Sequence, residues 1–145
     1  MKLLVDTRQK KLKHLNIERY CSAHNITIIP QCLNVGDYML ENGNISVDTK
    51  QSLLELANDL YLDKLSFNKK YKKCYKEKIK LIVLIEEPIK SIKELLSWQS
   101  KHTKVNGRFL LDMINDLKLS YGIDFKFCDK KHTGEYLIKL LKGEK

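Results

Sequence analysis

The apolar run LIVLI, from Leu81 to Ile85, limits what this chain can fold into more than any other stretch. A strand that is apolar at every position has both faces covered, which is typical of the centre of a sheet packed between helices. The run is far shorter than the roughly 20 apolar residues of a membrane-spanning helix. Strand and helix patterns alternate on either side of it. We therefore predict an α/β fold with a central mixed β-sheet flanked by helices.

Hydrophobic periodicity predicts the elements around this central strand. Strands are expected at 2–6, 26–33, 80–87 and 123–128, and helices at 10–24, 51–62, 67–80, 92–98, 108–121 and 134–141. Pro30 has no amide hydrogen to donate, so the second strand should lie at a sheet edge or contain a bulge. Gly122 should end the fifth helix as its C-cap. Because 145 residues suit one core and no linker divides them, we predict a single domain over 1–145.

A β-hairpin is predicted in the stretch VGDYMLENGNISVDTK. Its centre, Asn42-Gly43, favours a two-residue type I′ turn because both residue types tolerate positive φ. With that turn, Asp37 would lie directly opposite Asp48. One face of the hairpin would then be apolar, and the other would carry both aspartates and Lys50.

Two aspartates at opposed strand positions have Cβ atoms about 4.5–5.5 Å apart, and their like charges destabilise a sheet. A divalent cation reverses this effect, because Mg²⁺ prefers hard oxygen ligands such as carboxylates, phosphate and water. Lys50 lies two residues beyond Asp48 on the same face and can reach the same centre. Two carboxylates and a lysine are the minimal set for metal-assisted hydrolysis of a phosphodiester. An ordinary turn with exposed charges is the alternative interpretation.

The formal net charge of +9 indicates an anionic partner, and nucleic acid first. Lysine supplies 24 of the 27 basic residues, and it binds phosphate as a point charge, whereas arginine is better suited to reading bases. If the partner is a nucleic acid, we therefore expect contacts directed at its backbone and shape. An AT-rich genome is the alternative explanation of the lysine excess. The candidate DNA-binding residues in the most basic helix are Lys69, Lys70, Lys72, Lys73 and Lys76.

Three further features of the basic segments leave alternatives open. A run of lysines is also typical of a solvated helix face. Tyr71 and Tyr75, interleaved with the lysines, are expected to pack inward, and stacking on an unpaired base is the alternative. Arg108 either contacts phosphate or balances charge at a helix start.

The four cysteines are widely spaced and form no CxxC pair, which predicts reduced thiols in an intracellular, cytoplasmic protein. Zinc sites built from Cys21, His24 and Cys32, or from Cys128 and His132, are alternatives that lack paired ligands on both sides. The N-terminal apolar run of three residues is too short for a secretory signal. We expect no association with a membrane.

Four segments occur in an order that points to one family: VDTR, VGDY, SVDTK and LIVLIEE. Together they resemble the nuclease domain of the XPF family of structure-specific DNA endonucleases. That family belongs to the PD-(D/E)xK superfamily, whose fold is restriction-endonuclease-like. The shorter prokaryotic and phage members are most similar to this chain, which implies a bacterial or phage-encoded protein.

The resemblance implies a set of site residues and a cofactor. Asp37 and Asp48 would be metal ligands for Mg²⁺ or Mn²⁺, with Asp48 standing where the motif has glutamate. Lys50 would be the catalytic lysine of the motif. Asp6 would be another catalytic and metal-binding acid, and Arg8 would contact phosphate.

Two glutamates complete the candidates implied by the resemblance. Glu86 lies at the end of the core strand. The acid that the family places four residues after the lysine is replaced by Leu54, and Glu55 follows one position later. The tandem helix-hairpin-helix module of larger members is missing, so the chain would hold DNA by its own surface or as a homodimer.

The predicted function is a metal-dependent DNA endonuclease acting on branched, flap or junction DNA in recombination, repair or phage DNA processing. A catalytically silent module of the same fold, which binds DNA or holds a partner, is the first alternative. An RNA-directed hydrolase is the second.

Overall fold

A computed structural model of the protein describes residues 1–8, 15–62 and 64–144. Its strands are β1 (Lys2–Asp6), β2 (Thr27–Gln31), β3 (Tyr38–Leu40), β4 (Ile45–Lys50), β5 (Lys80–Ile85) and β6 (Asp124–Phe127). Within these ranges they form a six-stranded sheet in the order β2-β1-β3-β4-β5-β6. Strand β3 runs antiparallel to both of its neighbours, and the other pairs are parallel. The sheet is therefore mixed, as predicted.

Helices cover both faces of this sheet. Those in the described ranges are α1 (Leu15–Ala23), α2 (Leu53–Leu62), α3 (Lys64–Lys76), α4 (Ile92–Leu96), α5 (Gly107–Tyr121) and α6 (Thr133–Leu141), with a 3₁₀ turn at Lys130–His132. One core cluster contains residues of α2, α3, α4 and α5, and a second contains residues of α1 and α6. The predicted α/β class is confirmed. None of the described helices combines the length and apolar character that crossing a bilayer needs.

Strand β5 separates the two core clusters. Leu81, Val83 and Ile85 belong to the cluster on the α2, α3 and α5 side. Ile82 and Leu84 belong to the cluster on the α1 and α6 side. All five side chains are buried, which confirms the prediction of a strand covered on both faces.

The register between β4 and β5 decides where the polar residues of β4 lie. Asp48 pairs with Val83, and Lys50 pairs with Ile85. Because side chains alternate along a strand, both charged residues face the layer of α2 and α3. They are only 3% and 7% exposed, so this face of β4 is covered by helices.

Several predicted boundaries move by a few residues. The part of the first predicted helix over 10–14 lies outside the described residues, and α1 is described from Leu15. The basic helix is displaced towards the N-terminus and ends at Lys76, because the chain turns through a positive φ at Lys78. Pro30 does lie in an edge strand, since β2 pairs with β1 alone among the described strands. Gly122 is the C-cap of α5, as predicted.

The turn of the hairpin differs from the predicted type I′ turn. Asn42 has a positive φ of 63°, but Gly43 does not, and its amide donates to the Leu40 carbonyl at 2.9 Å. Neighbouring strands hold the turn in this form, because the Glu41 amide donates to Lys2 O and Asn44 O accepts from the Lys80 amide. The predicted pairing nevertheless holds at the two positions where β3 and β4 form a ladder.

Gly107 should be intolerant of any larger residue. A Cβ atom at this position would lie 2.0 Å from the Leu95 carbonyl oxygen and 2.7 Å from that of Leu96, where α5 begins against α4. We expect Gly107→Ala to lower the free energy of unfolding by about 1–3 kcal/mol through overpacking. Urea denaturation measures this loss. Ser120→Ala, at an exposed position of the same helix, is the control, and an equal effect of the two changes would contradict this packing.

Candidate active site

Asp37 reaches the site from a kink in the chain just before β3. Gly36 has a φ of +75°, and a Cβ atom there would lie 2.0 Å from Ser46 Oγ, so glycine is required on both counts. The Asp37 amide donates to Val47 O at 2.8 Å, while the ladder begins at Tyr38, which pairs with Val47. Asp37 therefore precedes the ladder and does not pair directly with Asp48, contrary to the prediction from the turn.

The Asp37 carboxylate is nonetheless fixed beside that of Asp48. Its Oδ2 atom accepts hydrogen bonds from the amide and from the hydroxyl of Thr49, each at 2.8 Å. A hydrogen-bonding contact with Asp37 is among the interactions that lower the pKa of Asp48. The Asp37 and Asp48 side chains therefore lie close together, although the two residues do not form a ladder pair.

Asp48 is a buried carboxylate held by two ammonium groups. Its Oδ2 atom lies 2.8 Å from Lys70 Nζ and 3.6 Å from Lys50 Nζ. Burial acts to raise the pKa of Asp48, but the charges of Lys70 and Lys50 outweigh it, and the pKa falls below its ordinary value. Asp48 is therefore ionised at neutral pH.

Lys50 lies between two acids. Its Nζ atom is 2.6 Å from Asp59 Oδ2 on α2 and 3.6 Å from Asp48 Oδ2. Burial acts to lower the pKa of Lys50, but the two aspartates outweigh it and raise the pKa above its ordinary value. The side chain is a positive charge held in a fixed position.

Asp6 is placed beside Asp37 through the backbone, with the Asp6 amide donating to Asp37 O at 2.9 Å. Its carboxylate accepts from the Leu33 amide at 2.9 Å and from Arg8 Nε at 3.1 Å. Hydrogen bonding and charge from Asp6 raise the pKa of Arg8. In this structure the Asp6 carboxylate binds Arg8, whose exposed guanidinium faces solvent.

Glu86 and Glu55 form other contacts. Glu86 follows β5 and accepts from the Thr133 hydroxyl at 2.8 Å, at the start of α6. Glu55 Oε2 accepts from the Gln51 amide at 2.8 Å, while Ser52 Oγ accepts from the Glu55 amide at 3.1 Å, an arrangement that caps α2. The charge of Glu55 still raises the pKa of Lys50, so Glu55 lies at the rim of the site.

Asp59 is a site residue that the sequence analysis missed, and Lys70 has a role there that it did not assign. Asp59 lies one helical turn after Glu55 on α2, and it is the helix-borne acid that contacts Lys50. The sequence predicts that Lys70 contacts DNA, as do the neighbouring lysines of the same helix. Lys70 lies four residues before the buried Cys74, and residues four apart share a side of a helix. This spacing predicts that Lys70 lies on the inner side of α3.

The remaining basic candidates lie outside this cluster. Lys69, Lys72, Lys73 and Lys76 are exposed on α3. Arg108 is exposed at the start of α5, where its Nε atom lies 3.4 Å from Asp112 Oδ1. These positions leave the side chains accessible to a large anionic partner.

Of the three predicted metal ligands, Asp37 and Asp48 have their carboxylates side by side, whereas the Asp6 carboxylate accepts from Arg8 and from the Leu33 amide. In the described ranges, no group of three or more His, Cys, Asp or Glu side chains is arranged to hold a metal ion, the proposed cysteine–histidine sites included. Two carboxylates suit Mg²⁺, which takes one or two of them and completes its shell with water and phosphate oxygens.

The sequence model of the ERCC4 domain family matches residues 5–140. This chain belongs to the ERCC4 domain family. The match confirms the predicted relationship to XPF-type nuclease domains. No curated protein sequence matches the ERCC4-domain chain.

Two solved structures share the fold of this ERCC4 domain. XPF from Aeropyrum pernix is 21% identical with a TM-score of 0.73, and the match covers 98% of this chain and 64% of that one. XPF from Aeropyrum pernix in complex with DNA is 22% identical with a TM-score of 0.70, covering 97% and 63% of the two chains. The ERCC4-domain chain thus spans less than two thirds of the length of either structure. The similarity establishes the restriction-endonuclease-like fold.

The kink at Gly36 should depend on the small space beside Ser46. Gly36→Ala places a methyl group against Ser46 Oγ in an unfavourable backbone conformation, and we expect a loss of about 2–4 kcal/mol in the free energy of unfolding. Gly36→Ala with Ser46→Ala should lose less than the sum of the two single changes, because the overlap with the hydroxyl is gone. Urea denaturation of all four proteins tests this coupling. Additive losses would contradict the contact.

Proposed function

We propose that this chain is a metal-dependent DNA endonuclease that acts as a single nuclease domain over 1–145. Its substrate would be branched, flap or junction DNA, as expected for the family in repair, recombination or phage DNA processing. The observation that carries the proposal is the cluster of Asp37 and Asp48 with a buried lysine, Lys50, 3.6 Å from the Asp48 carboxylate. Membership of the ERCC4 domain family supports it.

Asp37 and Asp48 are the residues that would hold Mg²⁺ or Mn²⁺. Bound there, the metal would supply Lewis acidity to the phosphate and lower the pKa of a coordinated water. Both carboxylates are preset for this role, because Thr49 fixes Asp37 and the two lysines keep Asp48 ionised.

The chain's own cations supply the rest of the chemistry. Lys50 offers a fixed positive charge to the phosphoryl oxygens as negative charge builds on them, and Asp59 keeps the ammonium group in position. The exposed guanidinium of Arg8, oriented by Asp6, is available to a neighbouring phosphate. Asp6 then acts by positioning Arg8.

DNA would be held through its backbone by the lysines of α3 and by Arg108. The net charge of +9 favours association with a polyanion. Each phosphate that is neutralised should add about 0.9 to the slope of log affinity against log salt for duplex DNA. XPF from Aeropyrum pernix has been solved in complex with DNA, which supports DNA as the partner of this chain.

Asp48→Asn and Lys50→Ala should each abolish cleavage. The first change removes a metal-binding charge and the second removes the charge that stabilises the phosphoryl oxygens, so we expect rates to fall by at least about 100-fold. Cleavage is measured with Mg²⁺ or Mn²⁺ over nicked, flap, fork and four-way-junction DNA, and over RNA copies of the same substrates. Binding to the same DNA in EDTA should change by less than about threefold, since neither residue is on the exposed basic surface.

Glu135→Gln is the matched control for these variants, because Glu135 is half-exposed on α6 and pairs with Lys139. It should cleave at the wild-type rate. Robust cleavage by Asp48→Asn or Lys50→Ala would contradict the proposed roles. Failure of the wild-type chain to cleave any of these substrates would contradict the proposed nuclease activity.

A catalytically silent DNA-binding module is favoured by one observation. Lys70 Nζ, 2.8 Å from Asp48 Oδ2, takes a position on the carboxylate at which a metal would also bind. An ammonium group in this position competes with a divalent cation for the same oxygen. A silent module would keep Lys70 there permanently, whereas a nuclease would release it to a DNA phosphate.

Lys70→Ala tests whether this ammonium group competes with a metal ion at Asp48. Without DNA, we expect the variant to bind Mn²⁺ about tenfold more tightly than the wild type, because the Lys70 ammonium group then no longer competes for Asp48; this change corresponds to about 1.4 kcal/mol. Isothermal titration calorimetry measures this affinity. Lys72→Ala, which removes an exposed lysine from the same helix, should leave it unchanged. Equal Mn²⁺ affinity in Lys70→Ala and the wild type would contradict competition at Asp48.

A further inference from the structure

A cleft of about 440 Å³ lies between α3 and the end of α5, outside the carboxylate cluster. Its lining residues are Lys69, Lys72, Lys73, Tyr75, Lys76 and Tyr121. Among the described residues of the lining, every charged side chain is a lysine, and the two others are aromatic. This volume falls within the range of sites that hold a single small molecule or one nucleotide unit.

The two tyrosines of α3 divide between core and cleft. Tyr71 is fully buried and packs against Tyr121, with ring centroids 6.2 Å apart. Tyr75 is 68% exposed, so the expectation that both would pack inward is wrong for Tyr75. Because Tyr121 is partly buried in the core cluster, it forms a fixed wall of the cleft, and Tyr75 forms an open one.

We propose that this cleft binds an unpaired nucleotide of a DNA strand, with its base on the tyrosine rings and its phosphates on the surrounding lysines. Aromatic faces with lysines, and no carboxylate among the described lining residues, match the two chemical parts of a nucleotide, a flat base and an anionic backbone. Paired bases are stacked within the duplex, so an unpaired nucleotide is the unit that presents a free base face. The four lysines around the rings could contact several successive phosphates, so we expect a DNA strand to bind here and not a free nucleotide.

The cleft and the catalytic cluster share α3, and this step rests on the proposed nuclease function. Lys70, which contacts Asp48, precedes Tyr75 by five residues, or about 7.5 Å along the helix axis. Five residues also turn the helix by about 140°, so the cleft opens on the side of α3 away from the carboxylates, and a strand bound there would continue around α3 towards them.

Equilibrium binding in EDTA tests the cleft independently of cleavage. Fluorescence anisotropy is recorded with a labelled 12-nucleotide oligothymidylate and with a blunt DNA duplex. Tyr75→Ala should weaken binding to the oligothymidylate about 5- to 150-fold and change duplex binding by less than about twofold. Tyr75→Phe should bind as the wild type does, because it keeps the ring. Tyr61→Ala is the matched control, since Tyr61 is a 57% exposed tyrosine on α2 outside the cleft.

Salt dependence separates stacking from charge. Tyr75→Ala should keep the wild-type slope of log affinity against log salt, whereas Lys72→Ala should reduce it by about 0.7 for a single strand. An abasic oligonucleotide should bind the wild type as weakly as oligothymidylate binds Tyr75→Ala.

Four outcomes would overturn the proposal. The first is oligothymidylate binding by Tyr75→Ala at the wild-type level, and the second is an equal loss of duplex binding. The third is displacement of the labelled oligothymidylate by micromolar thymidine 5′-monophosphate, which would identify a site for free nucleotides. The fourth is tighter binding of an oligouridylate than of oligothymidylate, which would identify an RNA site. A wild type that binds the oligothymidylate through Tyr75 but cleaves nothing would contradict the nuclease and leave the cleft standing.

Discussion

The burial of Asp48 is the constraint on which the rest of the site depends. A carboxylate between a sheet and a helical layer costs several kcal/mol unless opposite charges accompany it. Lys50 comes from the same strand, Lys70 comes from α3, and Asp59 on α2 holds Lys50 in turn. One buried charge therefore joins a strand and two helices, and the groups that would act on a phosphodiester are the groups that fix this layer to the sheet.

Helix α3 connects this buried cluster with the basic surface. Its inner side carries Tyr71 and Cys74 into the core and Lys70 to the carboxylate, while its outer side carries the exposed lysines and Tyr75. Helical geometry accounts for the inner side, because Lys70 and Tyr71 precede Cys74 by four and three residues, whereas Tyr75 is exposed although it follows Tyr71 by four.

The sequence predicted the strands well, because side-chain alternation and an apolar run leave few choices. It also set Asp48 and Lys50 on one face of β4. The turn type was wrong, since neighbouring strands bind the backbone at Glu41 and Asn44, which local propensity does not reveal. Asp59 could not be chosen in advance, because which acid of α2 reaches Lys50 depends on how the helix crosses the strand.

The short connection between β4 and α2 limits how far the charges of the site must rearrange when a ligand binds. Only residues 51 and 52 join the two elements. At the start of the helix, Glu55 accepts from the Gln51 amide, and Glu87, which follows β5, accepts from the Leu53 amide. Lys50 and its partner on the helix are thus parts of one short, stiff unit. Its charges are oriented once, during folding, and little reorganisation energy remains to be supplied when a charged ligand arrives.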